Sequence, residues 1–382
     1  MTTWTEINLA AIKSNAQAIK ARVQRNEGPG PSLIAVIKAD AYGHGVIPVA
    51  EALRAEASMY AVATLDEAIE LRSAGISKPI LILFNALPDQ AETIVHYQLT
   101  QSVYEPTLCR ALSRLAQVLD RHVKVHVDVD TGMNRGGVWY TEAVGFIQWL
   151  TSLDGVEIEG VFTHFATADE ADKSHTYLQL KRFESVLSAL SDLNLRPPIV
   201  HTANSAASLT LPNSHFDAVR VGLSLYGIYP SPHIAEQQVV SLRPALSWKA
   251  RITCLREAAP GEGVSYGRIY RTDQPTWLAT LPIGYADGYP RTLSNVGDAL
   301  IGGLRRQLVG RVCMDGTVFR VDPPVNVAIG DEAVLIGTQG GQKITVDQVA
   351  AKVATISYEI LTGIGKRVPR VYVNPTGTGT GI

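Results

Sequence analysis

Residues 33–64 read LIAVIKADAYGHGVIPVAEALRAEASMYAVAT: an apolar run, a stretch with apolar residues at helical spacing, then a second apolar run. This is one strand–helix–strand unit. Similar Val/Ile/Leu-rich runs follow at 79–83 (PILIL), 100–104 (TQSVY), 123–130 (VKVHVDVD), 157–164 (EIEGVFTH), 199–203 (IVHTA) and 218–223 (AVRVGL). With 33–39 and 60–64 they make eight. The segments between them, such as VIPVAEALRAEA and TLDEAIELRSAG, carry helical periodicity and several end on glycine or proline. Eight such alternations in roughly 230 residues are the length and rhythm of a (β/α)8 TIM barrel. An open doubly wound sheet accommodates eight strands less naturally.

Beyond about residue 235 the rhythm changes. LSWKARITCLREA, PTWLATLPIGYA, QLVGRVCMDGTVFRVD and DEAVLIG alternate or form short runs bounded by Gly, Pro and Asp, with one helical pattern at TVDQVAAKVA. The expected organisation is a barrel over 11–235 and a C-terminal, mainly antiparallel β-domain over 236–374 that also takes in residues 1–10. The low-complexity end NPTGTGTGI makes 375–382 a disordered tail on this reading.

The 382 residues are 46% hydrophobic and 18% charged, with a net charge of −2. Nothing in that balance attracts polyanions, so neither nucleic acid nor a membrane surface is an expected partner. No apolar window reaches the roughly 20 residues of a membrane span. The opening residues lack a basic stretch followed by an apolar run, so the cytoplasm is the expected compartment. Cys109, Cys254 and Cys313 are widely spaced without a CxxC, which suggests neither a disulfide framework nor a metal site.

In a barrel, catalytic groups collect at the C-terminal ends of the strands. Here those ends carry Lys38, Asp130 with Arg135 just beyond, His164, Ser205, and Arg220 with Gly222. A lysine at a strand end is more often a salt-bridge partner than a catalyst. Burial, however, lowers a lysine's pKa and makes its amine a nucleophile toward aldehydes. The loops after the seventh and eighth strands, the usual phosphate site of this fold, carry Ser205, small residues and Gly222. An amine facing a phosphate cradle suggests pyridoxal 5′-phosphate.

The stretches AVIKADAYGHG, VDTGMNRGG, VFTHFATADE, HTANSAAS, VRVGLSLYG, VSYGRIYR, PIGYADGYPR, GRVCMDG and ISYEIL together resemble the bacterial alanine racemases, over nearly the whole chain. The resemblance implies a pyridoxal-phosphate enzyme that interconverts L- and D-alanine and supplies D-alanine for peptidoglycan. It implies that Lys38 holds the cofactor covalently, that Tyr42, Ser205, Gly222, Leu223 and Tyr358 hold its phosphate, and that Arg220 faces the pyridine nitrogen with His164 behind it. Arginine does not give up its proton, so it can donate to that nitrogen without protonating it. The cofactor then becomes a weaker electron sink.

Racemisation needs a base on each face of the α-carbon. By the same resemblance Lys38 serves one face and Tyr266, supplied by the partner subunit of a homodimer, serves the other. A phenol becomes a base only where nearby positive charge favours its phenolate, which coupling to the His164–Arg220 pair would provide. Arg135 would meet the cofactor's phenolic oxygen and the substrate carboxylate, and Met314 would approach that carboxylate too. Tyr285, Tyr358, Arg291 and Asp169 resemble the family's narrow access corridor. Two positions depart from the common pattern. Asp128 stands where many relatives carry a carbamylated lysine, and Gly316 follows CMD where a polar residue is common. Alternation along VKVHVDVD puts His126, Asp128 and Asp130 on one face, toward the barrel interior, and the valines on the other. Aspartate would supply the charge of the carbamate to Arg135. A racemase of another small amino acid such as serine, a barrel decarboxylase, and a non-enzymatic pyridoxal-phosphate carrier are the alternatives.

Overall fold

The computed structural model describes residues 1–24, 28, 30–323 and 326–373; the tail expected at 375–382 lies outside them. The chain divides into two compact units: Ala11–Ala41 with Val46–Pro244, and Met1–Ala10 with Tyr42–Gly45 and the chain from Ala245 onward.

The first unit is a closed parallel barrel. Its strands are Ser32–Val36, Met59–Val62, Ile80–Ile82, Thr100–Val103, Val123–Asp130, Val156–Phe162, Ile199–His201 and Ala218–Val221. Each pairs with the next, and the last returns to the first through Ala218↔Ser32 to Val221↔Ala35. Closure leaves no free edge, so every strand is satisfied on both sides. Val125, Val127 and Val129 are buried, while His126 on the opposite face makes its contacts inside the barrel. Burying each valine contributes about 1.5–3 kcal/mol. Except for Val123–Asp130, which fills its run, the strands stop one to three residues short of the apolar runs in the sequence, so His164 and Gly222 stand on loops just past them and Ser205 begins the helix that follows.

The first strand ends at Val36, and Lys38 begins a turn rather than closing a strand. Ala39, Asp40, Ala41 and Tyr42 all have φ between 52° and 54°, one full turn in the left-handed region. Each non-glycine residue there costs roughly 1–2 kcal/mol, so the surroundings must hold the turn. Glu67 Oε1 accepts from the Ala39 amide at 2.6 Å, and Asp40 Oδ1 accepts from the Val46 amide at 2.7 Å. Glu67 is also the N3 partner of Thr64 in the capping box of helix Leu65–Ser73, so one carboxylate braces both the turn and a helix start. Gly43 ends the turn at φ 78°, where a Cβ would collide with the Leu361 carbonyl.

The second unit is mainly antiparallel. A seven-stranded sheet is ordered Leu304–Gln307, Asp298–Ile301, Glu332–Gln339, Leu246–Arg251, Thr3–Asn8, Arg370–Val373, with Gln342–Ile344 beside Glu332–Gln339. The N-terminal strand joins this sheet between Leu246–Arg251 and Arg370–Val373. A three-stranded sheet, Cys254–Ala258, Thr276–Leu281 and Thr317–Val321, packs over Ala258, Val264, Leu278 and Val309. Helix Val346–Lys352 forms where periodicity placed it, and a second, Ser357–Thr362, was not expected. Its six residues are too few to show a period.

Candidate active site

The barrel rim holds three cationic side chains within electrostatic reach of one another: Lys38, Arg135 and Arg220. The Lys38 ammonium lies 5.8 Å from the Phe84 ring centroid and the Arg135 guanidinium 5.2 Å from it. Burial, then Arg135 and Arg220, push the Lys38 pKa below its usual value, with Glu67 opposing them. Arg135 rides on a loop built by Asp130. The Asp130 carboxylate accepts from the amides of Gly132, Met133 and Asn134 at 2.8, 3.0 and 3.2 Å. Asp130 is therefore a loop former rather than a charge aimed at a ligand.

Arg220 is buried in the last barrel strand. One terminal nitrogen reaches His201 Nδ1 at 2.6 Å; the other donates to the Thr163 carbonyl at 3.0 Å and reaches His164 Nδ1 at 2.9 Å. Its pKa falls to about 10, chiefly by burial, so the guanidinium stays charged at neutral pH. Burial and the same cations hold His164 well below the ordinary histidine range, so it is neutral. Ser205 opens helix Ser205–Thr210, and its hydroxyl accepts from the Gly222 amide at 3.0 Å. Gly222 precedes the short helix Leu223–Tyr226, so a hydroxyl and several amides gather past the last two strands.

Asp128 lies beside Arg220 and Arg135 but forms no hydrogen bond or ion pair with either among the described residues, and none with His126. Burial outweighs the two arginines and pushes its carboxyl up to about 7. The full negative charge expected from the sequence is thus only partly developed at neutral pH. At Gly316 a Cβ would meet nothing nearer than the Leu281 carbonyl at 3.8 Å, so space does not exclude a larger residue there.

In the second unit Tyr42 and Tyr358 have ring centroids 5.9 Å apart, and burial followed by Tyr358 raises the Tyr42 hydroxyl pKa. Tyr266 begins the one-turn helix Tyr266–Arg268, in which Gly267 and Arg268 have φ of 70° and 48°, and the preceding Ser265 has φ 61°. The Ser265 hydroxyl donates to the Arg311 carbonyl at 2.7 Å, which ties this loop to the strand-like run before Met314. Tyr285 and Ala286 donate their amides to the carbonyls of Cys313 and Met314 at 3.0 and 3.1 Å. Tyr266, Tyr285 and Met314 therefore stand on one tied cluster of loops, at 73%, 43% and 52% exposure. Arg291 is exposed, and Asp169 sits on a barrel loop whose carbonyl accepts from Ser231 at 2.6 Å. Strand alternation places His126 in the barrel interior but gives it no partner, and His201, Glu159, Glu67 and Phe84 have no assignment in the sequence. Only Glu67 had a local sign, the T-x-x-E capping pattern; the others act through register across the barrel.

Among the described residues no helix is long and apolar enough to cross a membrane, and no group of His, Cys, Asp and Glu is arranged to hold a metal ion. A closed parallel barrel with an activated amine, two guanidiniums and a hydroxyl–amide cluster at one rim defines an enzyme. Residues 7–230 match the N-terminal domain of alanine racemase and 245–372 its C-terminal domain. The alanine racemase of Halothermothrix orenii is 46% identical over 376 residues, 98% of each chain. The structure of alanine racemase from Clostridium difficile superposes with a TM-score of 0.93 at 37% identity, covering 99% of this chain and 97% of that one. That of alanine racemase from Bacillus anthracis, solved with bound L-Ala-P, gives 0.92 at 38%, covering 99% and 96%. The chain belongs to the alanine racemase family, and with it to the amino-acid racemases.

Proposed function

We propose that this racemase interconverts L- and D-alanine with pyridoxal 5′-phosphate and two bases, Lys38 and Tyr266 of the partner subunit, in a cytoplasmic homodimer, and that its D-alanine supplies peptidoglycan. The observation that carries the reading is Lys38. Its side chain is half-buried at the barrel rim and makes no hydrogen bond among the described residues, and its pKa is lowered, chiefly by desolvation. Such an amine gives up its proton more readily than an exposed lysine does.

The donor set at the rim fits the cofactor: an amine for an aldehyde, a hydroxyl with neighbouring amides for a phosphate, and a buried guanidinium for a ring nitrogen. Tyr42, Ser205, Gly222, Leu223 and Tyr358 would hold the phosphate, and Arg135 the phenolic oxygen. Bound there, pyridoxal phosphate would supply an electron sink for the carbanion at the α-carbon. Arg220, with both terminal nitrogens committed to the protein, would present its remaining Nε–H to the ring nitrogen and keep its own proton. Lys38 Nζ would take or return the proton on one face of the substrate and the Tyr266 phenolic oxygen on the other. Arg135 and Met314 would orient the carboxylate. Tyr266 projects from a strained loop with most of its surface uncovered in one protomer, which supports its serving a neighbouring subunit. Asp169, Tyr285, Arg291 and Tyr358 would form the access corridor.

Incubating the holoenzyme with each alanine enantiomer, and separately with L-serine, followed by chiral chromatography tests the reading. Equal mixtures from either alanine enantiomer are expected. Turnover of serine alone would assign a different substrate, and no turnover of either would leave a binding protein.

Asp128 gives a second expectation. As partial counter-charge to Arg135 and Arg220, Asp128→Asn should lower kcat/KM for alanine by about 5- to 150-fold, the scale of one charged partner at about 1–3 kcal/mol. Stability should move the opposite way. A carboxyl with its folded pKa raised from 3.8 to about 7 costs stability as pH rises from about 4 to about 7, because only the unfolded state ionises freely there. The Tm of Asp128→Asn should therefore exceed that of the parent by a margin that opens over this window and is constant above it. Unchanged kcat/KM at matched cofactor occupancy would remove Asp128 from the site. With no lysine at this position to carbamylate, added bicarbonate should leave activity unchanged.

A further inference from the structure

Behind Arg220, inside the barrel, lies a row of polar side chains with no part in the chemistry above. His201 Nε2 is 2.8 Å from His126 Nδ1; His126 Nε2 is 3.2 Å from Glu159 Oε2; Glu159 Oε1 is 2.6 Å from Lys124 Nζ. Both histidines are fully buried, Glu159 nearly so, and Lys124 is half exposed near the start of its strand. The row runs from the N-terminal end of the fifth barrel strand to the guanidinium at the end of the eighth.

The ends of the row dictate its middle. Arginine only donates and a carboxylate only accepts. Arg220 donates to His201 Nδ1, so that nitrogen carries no proton and His201 is protonated on Nε2. It then donates to His126 Nδ1, which forces the proton of His126 onto Nε2, facing Glu159. All donors point one way, and each histidine is satisfied by exactly one donor and one acceptor bond. Both rings are held neutral by burial, so the His126–Glu159 contact is a hydrogen bond rather than an ion pair. The Glu159 carboxylate is held well below its usual range because the bonds from His126 and Lys124 outweigh its burial.

The packing around the row is equally specific. Phe162 stacks on His201 at 4.8 Å with an interplanar angle of 9°, and the Arg220 guanidinium lies 5.0 Å from the same phenyl centroid. A Cβ on Gly160 would stand 2.6 Å from the His126 ring, so only glycine leaves room for it. Glu157 lies 3.8 Å from Lys124, and the Thr100 hydroxyl donates to Glu159 at 3.4 Å.

We infer that Glu159, His126 and His201 are positioning residues: a one-way hydrogen-bond chain, anchored at Lys124, in which Glu159 holds His126 in the tautomer that accepts from His201, and His201 so held accepts from Arg220 and orients it. The inference deepens the proposed function, on which it rests for what Arg220 faces.

The test is made on the full-length holoenzyme labelled with 15N at histidine. In the parent protein His126 and His201 should both show an unprotonated Nδ1 and a protonated Nε2; a proton on Nδ1 of either overturns the proposal, whether or not any variant folds. In Glu159→Met the His126 Nε2–H loses its acceptor, and His126 should populate both tautomers while Arg220 keeps His201 protonated on Nε2. With it, kcat per bound cofactor should fall roughly tenfold, the scale of one positioning hydrogen bond, while KM for alanine stays within about twofold. Gly160→Ala, which displaces the His126 ring without removing a polar group, should move kcat and the His126 signal the same way. A lower Tm with kcat and both tautomers unchanged in these variants means the row is only core satisfaction and sinks the proposal. The nitrogen spectrum needs no turnover, so an error in the Lys38–Tyr266 assignment would appear in the kinetics with the tautomers intact.

Discussion

Replacing Lys38 with alanine should abolish racemisation in both directions, with kcat reduced by more than about 10³, since a positioned base alone is worth roughly 10²–10⁴ and the covalent anchor goes with it. The structure gives the lysine no competing duty. Its ammonium has no hydrogen-bond partner among the described residues, and the turn that follows is braced by Glu67 and Asp40 rather than by Lys38. The variant should therefore fold, and should still bind the cofactor weakly through the Ser205 and Gly222 region. Borohydride reduction of the parent enzyme followed by peptide mapping checks the anchor directly: the pyridoxyl group should be found on Lys38. A label on another lysine would overturn the assignment.

Tyr266→Phe should retain the cofactor and lose roughly 10²–10⁴ in racemisation, because it removes only the phenolic oxygen. The effect should be one-sided. Solvent deuterium should still exchange into the D-enantiomer, served by Lys38, and fail to enter the L-enantiomer. Exchange of the L-enantiomer at the parent rate would end the two-base scheme. Mixing separately inactive Lys38→Ala and Tyr266→Phe chains checks where the second base comes from. In a heterodimer one of the two shared sites has both bases intact, so a statistical mixture should regain about a quarter of the parent activity. Demonstrated heterodimers without activity would place both bases in one chain. Tyr266 stands 73% exposed in its own protomer, on a loop with three positive φ values, and that cost is consistent with a residue displayed for a partner.

What the residues alone determined is whatever depends on local pattern. Eight apolar runs separated by helical periodicity specify a barrel because strand and helix periods are written in neighbouring residues, and the barrel in turn assigns Lys38, Arg135, His164, Ser205 and Arg220 to one rim. The change to alternating runs after about residue 235 marks the β-unit for the same reason. The tertiary structure decided what depends on burial, register and handedness. Asp128 reads as a charge in sequence, yet its carboxyl is pushed up to about 7 because burial outweighs two nearby arginines with which it forms no ion pair among the described residues. Asp130 reads as a candidate site residue, yet its oxygen is spent on three loop amides. The left-handed turn after Lys38 has little signal in Ala39–Tyr42, since only Asp40 among them is of a type that visits positive φ, and then singly; the carboxylate of Glu67, 28 positions away from Ala39, helps to hold it. His126 and His201 are 75 positions apart and meet only because their strands flank Val156–Phe162 in the closed sheet, with a register shift at Val125/His126 and a glycine opposite the ring. Proton positions on those rings follow from an arginine at one end of the row and a carboxylate at the other, an order that exists only once the barrel has closed.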